Sequence, residues 1–246
     1  MRDPHPYKRR PVFHWAALLC FISGGIALGG WQLLVHPDTP VPPEWNPQVP
    51  LRVNDPLTAL TQWKLARALE DDDACLAALD TGAQAVRQPD LEDGPQCGID
   101  PQVTLRAAGG ATLAPINTRC QTALRVAMWS RHALQPAAEE IFGQPLGQIS
   151  HFSSYSCRRI RTTDGGSTRM STHATADAID ISGFVLADGT TVDLLRDWEG
   201  EGAKADFLRR ANASACDWFR VTLGPQYNAL HADHFHLQHS GWGLCR

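Results

Sequence analysis

The sequence predicts an α+β fold: a small antiparallel sheet flanked by helices, after one N-terminal transmembrane helix. Three observations lead there. An uncharged apolar run fills Trp15 to Val35. Segments with helical spacing dominate the part that follows it. Alternating strands dominate the last part, two of them joined by the turn signal Ala187-Asp188-Gly189. Hydrophobic residues make up 43% of the 246 residues, which suffices for one good-sized core beyond the N-terminus. The net charge of -4 offers no basic field, which sets nucleic acid aside as a partner.

Residues 1–14 form a basic tail with Arg2, Lys8, Arg9 and Arg10, expected to stay cytoplasmic. Residues 15–35 span roughly 30 Å as a helix, the thickness of a bilayer core. The expectation is a single pass through the bacterial inner membrane with the C-terminal part in the periplasm. A cleavable signal peptide is the alternative, with Ala27-Leu28-Gly29 as a cleavage site. The apolar run continues through Trp31, Leu33, Leu34 and Val35, longer than an ordinary signal core, and favours the anchor. Residues 36–54 hold six prolines between Pro37 and Pro50 and read as a stiff, extended spacer.

Residues 55–97 read as a helical subregion, with Leu57, Leu60, Trp63, Leu65 and Leu69 at helical spacing and a short second helix from Ala74 to Leu79. Residues 98–246 read as the main domain. It starts turn-rich, with a strand around Val103 and Leu105. A helix follows from Thr118 to Ile141, broken or kinked at Pro136. Gly143 to Arg159 alternates as a strand, and Asp164-Gly165-Gly166 marks a loop. Ala178 to Leu186 and Thr190 to Leu195 form a hairpin. A helix from Gly202 to Ala215 precedes late strands at Phe219 to Leu223 and His234 to Gln238.

Six cysteines lie beyond the apolar run: Cys75, Cys97, Cys120, Cys157, Cys216 and Cys245. An even number there reads as three disulfides in an oxidising compartment, and the absence of CxxC speaks against thiolate metal binding. Cys216 with Cys245 is the expected pair; the other pairings stay open.

The chemistry concentrates in two stretches, Ser171-Thr172-His173 through Asp180 and His231-Ala232-Asp233-His234-Phe235-His236. Side chains alternate on a strand, so Asp180 leaves the face of Ile179 and Ile181, and His234 and His236 share one face. If these strands are neighbours, Asp180 meets the histidines, and His173 reaches the same spot from the preceding loop. Two imidazoles and a carboxylate suit Zn2+ and leave a position for water, so the sheet is expected to carry a zinc site. Asp180 inside an apolar run needs a partner or a cation. Asp233 and His234 are both candidates for the base, and His231 for a supporting role. Arg158 is a candidate for gripping a substrate carboxylate with its guanidinium fork.

Ser171-x-His173 with Asp180, and Asp233-His234-x-His236, resemble the zinc peptidases that cleave D-alanyl bonds in bacterial cell walls. The chain more closely resembles bacterial proteins with an extensin-like C-terminal domain. That resemblance runs from Gly98 to Arg246 through Ser154-Tyr155-Ser156-Cys157-Arg158, Ser171-Thr172-His173-Ala174, Ala178-Ile179-Asp180-Ile181, Leu223-Gly224-Pro225 and Asp233-His234-Phe235-His236-Leu237. It implies His173, Asp180 and His236 as zinc ligands, Asp233 or His234 as base, and Arg158 as the substrate-binding residue. The implied function is D,D-carboxypeptidase or D,D-endopeptidase activity on the peptide stems of peptidoglycan. A non-catalytic wall-binding or scaffold domain is the alternative. The sequence departs from the peptidase pattern in carrying Ala176 where that pattern has glycine.

Overall fold

The computed structural model describes residues 12–162 and 165–246. The basic tail and Asp164 of the expected loop therefore lie outside the described residues, apart from the first helical positions of residues 12–14. The chain forms two compact units, Met1–Val49 and Pro50–Arg246.

In the first unit, α1 (Val12–Val35) is a single helix. Its Trp15–Val35 stretch, 21 residues with mean hydropathy 1.8, is long and apolar enough to cross a membrane. The proline segment after it is not simply extended. It makes a tight turn at Pro43–Trp45, and buried Asn46 donates from Nδ2 to the Leu34 carbonyl at 2.8 Å. The last carbonyls of a helix have no partner inside it, and Asn46 satisfies one of them.

In the second unit, packing begins before the helices, with Leu51 and Val53 buried. Helices α2 (Thr61–Glu70) and α3 (Asp72–Leu79) follow. The first starts at Thr61 rather than near Asp55. The second is capped by Asp71, whose carboxylate accepts from Ala74 N at 2.8 Å. Next come β1 (Ala83–Arg87), β2 (Leu91–Glu92), β3 (Gly98–Ile99), β4 (Gln102–Ala108) and β5 (Ala111–Arg119). Of these, only β4 was expected, as the strand around Val103 and Leu105. Pro115 obscures β5, yet it falls in an irregularity where Leu105 pairs with Ile116 and Ala107 with Thr112, so no ladder donor is needed from it.

The expected long helix is present as α4 (Cys120–Trp129) and α5 (Gln135–Phe142), joined by a π-helical turn at Ser130–Leu134. Pro136 sits in the first turn of α5. The widened turn before it accommodates the missing N–H without breaking the helix. Then follow β6 (Leu146–His151), β7 (Arg159–Thr162), β8 (Gly165–Met170), β9 (Ala178–Leu186), β10 (Thr191–Asp193), α6 (Leu194–Asp197), α7 (Ala203–Trp218), β11 (Val221–Leu223), β12 (Phe235–Gln238) and β13 (Leu244–Cys245). The expected loop at Gly165-Gly166 is the start of β8, in a hairpin with β7.

The fold is α+β, but the sheet is neither small nor wholly antiparallel. Nine strands run in the order β1-β4-β5-β6-β9-β12-β11-β13, with β10 also on β9. The β5–β6 and β11–β13 pairs are parallel. The α4–α5 crossover returns β6 in the direction of β5, as a parallel neighbour requires. The Cys216–Cys245 disulfide holds β13 to α7. The other bridges are Cys75–Cys120, from α3 to α4, and Cys97–Cys157.

One face of the sheet packs on the helices. Trp129 of α4 meets Phe184 of β9 and Phe219 edge-on at centroid distances of 6.1 and 6.0 Å, and Phe207 of α7 meets Phe184 at 5.2 Å. Ile179, Ile181, Phe235 and Leu237 lie in the same core. The alternate positions of β9 and β12 therefore point to the other face.

Candidate functional site

On that other face, Asp180 and His236 are directly opposed in the antiparallel β9–β12 ladder. Opposed residues keep their Cβ atoms roughly 5 Å apart, so the two side chains meet: His236 Nδ1 lies 3.0 Å from Asp180 Oδ1. His173 arrives from a short 3-10 turn, Thr172–Thr175, and its own N–H donates to Ser171 Oγ at 3.3 Å. That turn ends in Ala176 with φ 50°, the one non-glycine residue in the left-handed region among the described residues. A left-handed bend of this kind favours glycine, and this chain places alanine in it. Here the bend is held by Thr122 Oγ1, which donates to the Ala176 carbonyl at 2.9 Å.

His173 Nε2 lies 3.1 Å from His236 Nδ1 and 3.2 Å from Asp180 Oδ1. Three donor atoms thus form a nearly equilateral triangle. On the far side of its ring, His173 Nδ1 donates to the Ser154 carbonyl at 3.0 Å. A carbonyl only accepts, so Nδ1 carries the proton and a neutral ring presents a lone pair at Nε2. The close approach of Nε2 to the Asp180 carboxylate then has no proton in it. A proton on His236 Nδ1 shared with its two neighbours, or a cation, can fill the triangle. Burial alone would raise the Asp180 carboxyl, but its contacts with the imidazoles around it, His236 Nδ1 among them, hold it below the ordinary carboxylate range. His173 and Asp180 are 2% and 8% exposed, so this charge is not left to water.

The donor set also fits a metal by size. For ligand bonds of about 2.0–2.1 Å, the edges of a tetrahedral site measure about 3.3 Å. The observed edges of 3.0–3.2 Å are close to that without any rearrangement.

Asp233 and His234 work as a pair rather than as alternatives. His234 Nδ1 lies 2.7 Å from Asp233 Oδ1, and its Nε2 faces Asp180 Oδ1 at 3.6 Å. Asp233 is 47% exposed at its side chain and points outward, whereas His234 is 14% exposed and lines the site. Asp233 therefore fixes the tautomer that turns the free nitrogen of His234 inward. Behind them, His231 lies tilted against His234 and edge-on to His236, at centroid distances of 5.2 and 5.9 Å. Its Nδ1 lies 2.7 Å from Asn228 Oδ1, which also accepts from Leu230 N. Burial, then the neighbouring His236 and His234, push the His231 imidazole down to about 4, so it is a neutral ring.

A cavity of about 620 Å³ opens over the cluster, and Arg158, His173, Asp180, His231, His234 and His236 all line it. The Arg158 carbonyl accepts from Ser171 N at 2.9 Å, which ties the arginine's backbone to the turn carrying His173. Sequence reasoning assigned no role to Ser154 or Asn228. Ser154 acts through a main-chain carbonyl, which its residue type does not announce. Asn228 was readable only as a turn residue.

Searches of curated proteins and of solved structures return no significant match. The model of the family described as extensin-like protein C-terminus matches residues 73–246, starting earlier than the Gly98 boundary of the sequence resemblance and including all the residues of the cluster. The chain therefore belongs to the extensin-like C-terminus family.

Proposed function

We propose that this chain is a membrane-anchored zinc hydrolase that cleaves peptide bonds of peptidoglycan, of the D,D-carboxypeptidase or D,D-endopeptidase type. The observation that carries the proposal is the triangle of His173, Asp180 and His236 with the Asp233–His234 pair at its edge. A buried carboxylate, two imidazoles and an oriented third imidazole are the parts a hydrolytic metal site uses. Support for the periplasmic setting comes from α1, the three disulfides and the basic residues before the span.

His173 through Nε2, His236 through Nδ1 and Asp180 through Oδ1 would hold the ion. Zinc would supply Lewis acidity there, easing deprotonation of water and polarising the amide carbonyl. His234 Nε2 takes the proton from the attacking water and returns it to the leaving amine. Asp233 holds the His234 ring in the tautomer that makes this possible. Arg158 grips the substrate's terminal carboxylate through its guanidinium fork.

Digestion of purified muropeptides by the full chain, with and without a chelator, tests the reading. D-alanine release or loss of cross-linked species that stops with chelator is the expected result. Muropeptides bound but left intact under zinc would overturn it in favour of a wall-binding domain.

A further inference from the structure

The cavity has two unlike walls. One is formed by Arg158 and the β7–β8 hairpin that follows it, which contributes Arg161 and Arg169. The other holds Tyr227, Leu230 and Trp242, the last 91% exposed. Among the described lining residues the only carboxylate is Asp180, and it is already engaged by His173 and His236. None of the three arginines has an ion-pair partner among the described residues. Arg158 Nη1 donates to the Arg159 carbonyl at 3.3 Å. The chain is acidic overall, so three guanidinium groups with no carboxylate partner among the described residues, on one cavity wall, are a local reversal of its charge.

The wall is also held in place. The Cys97–Cys157 disulfide anchors its start, Ser171 N donates to the Arg158 carbonyl, and Arg159 Nη1 donates to the Thr168 carbonyl at 2.6 Å. Resting on the peptidase reading, we infer that this wall selects peptides carrying at least two carboxylates. Arg158 holds the terminal one, and Arg161 with Arg169 forms a second anionic subsite for an internal carboxylate of the same stem. Guanidinium forks match carboxylates in pairs of parallel hydrogen bonds, whereas a carboxamide offers no charge to them. The preferred substrate is therefore a stem with its internal carboxyl free, and amidation of that carboxyl weakens its capture.

The test uses two synthetic peptides that both end in D-alanyl-D-alanine, one with free internal carboxylates and one with those groups as carboxamides. Binding to the full chain in detergent is measured by calorimetry, and D-alanine release is measured in parallel. The free-acid peptide is expected to bind about tenfold more tightly at low salt, with the preference shrinking as salt rises. Both side chains are exposed, so R161Q/R169Q should fold; it should cut the preference to about twofold or less, and R161K/R169K should restore part of it. Equal binding of the two peptides by the wild type, or an undiminished preference in R161Q/R169Q, overturns the inference. If the preference holds but neither peptide is cleaved, the subsite stands and the peptidase reading fails. If both are cleaved at equal rates with equal affinity, the reverse is true.

Discussion

At the scale of single residues, the site depends on which nitrogen carries which proton. The Ser154 carbonyl sets His173, Asp233 sets His234, and Asn228 sets His231, all through Nδ1. The consequence for His234 and Asp233 is unequal. His234→Gln removes the proton carrier and should lower turnover by roughly 10²–10⁴-fold. Asp233→Asn removes only the orienting charge and should cost roughly 10–100-fold. Both variants should keep metal; steady-state kinetics with metal analysis checks this, and equal losses would put the base elsewhere. Much of this cluster was legible. Period-two alternation put Asp180 and His236 on one face, and the register pairs them directly. The orienting contacts were not legible, because two of the three act through a backbone carbonyl or an ordinary turn residue.

At the scale of elements, β9 organises the site. It is buried along nearly its whole length, with β6 on one edge and β12 and β10 on the other. Gly183 allows β10 to come close: a Cβ there would lie 2.5 Å from the Val192 carbonyl oxygen. Gly183→Ala should therefore destabilise the fold by about 1–3 kcal/mol. Chemical denaturation would reveal it, and an unchanged midpoint would show that β10 shifts at no cost. The β9–β10 hairpin was legible because apolar alternation and a turn signal coincide there. By contrast, β1 and β5 were hidden. Ala83-Gln84-Ala85-Val86-Arg87 alternates too weakly to be distinguished from a helix end, and Pro115 in β5 argues against a strand until the irregularity around it is known. The β7–β8 hairpin was taken for a loop because its glycines lie within the pairing rather than between strands.

At the scale of the whole molecule, the folded unit is stapled and sensitive to acid. Burial, then Arg125 and Arg119, push the His239 imidazole down to about 3, while His132 is lowered by burial and Arg131. Both rings hold a proton less readily when folded than when unfolded, and His239 stays neutral down to about pH 3 while the unfolded chain takes up protons below the ordinary value near 6.5. The unfolded chain then binds more protons, so stability falls as pH drops from about 6.5 toward 3. The slope is at most about 1.4 kcal/mol per pH unit for each histidine. Urea denaturation across that range should show the decline, and His239→Gln should flatten it; a stability independent of pH there would contradict the burial of these rings. The three bridges and the mixed sheet were only partly legible, since cysteine count gives a number of pairs and not their partners. Only Cys216–Cys245 followed from the chain's order, as a way to hold the last strand. The central claim is that His173, Asp180 and His236 together grip one ion. Metal analysis of the purified full chain, beside His173→Ala and Asp180→Ala, tests it most directly. The account predicts about one zinc per chain in the wild type and almost none in either variant; a wild type free of metal after zinc loading, or variants that keep it, would contradict the account.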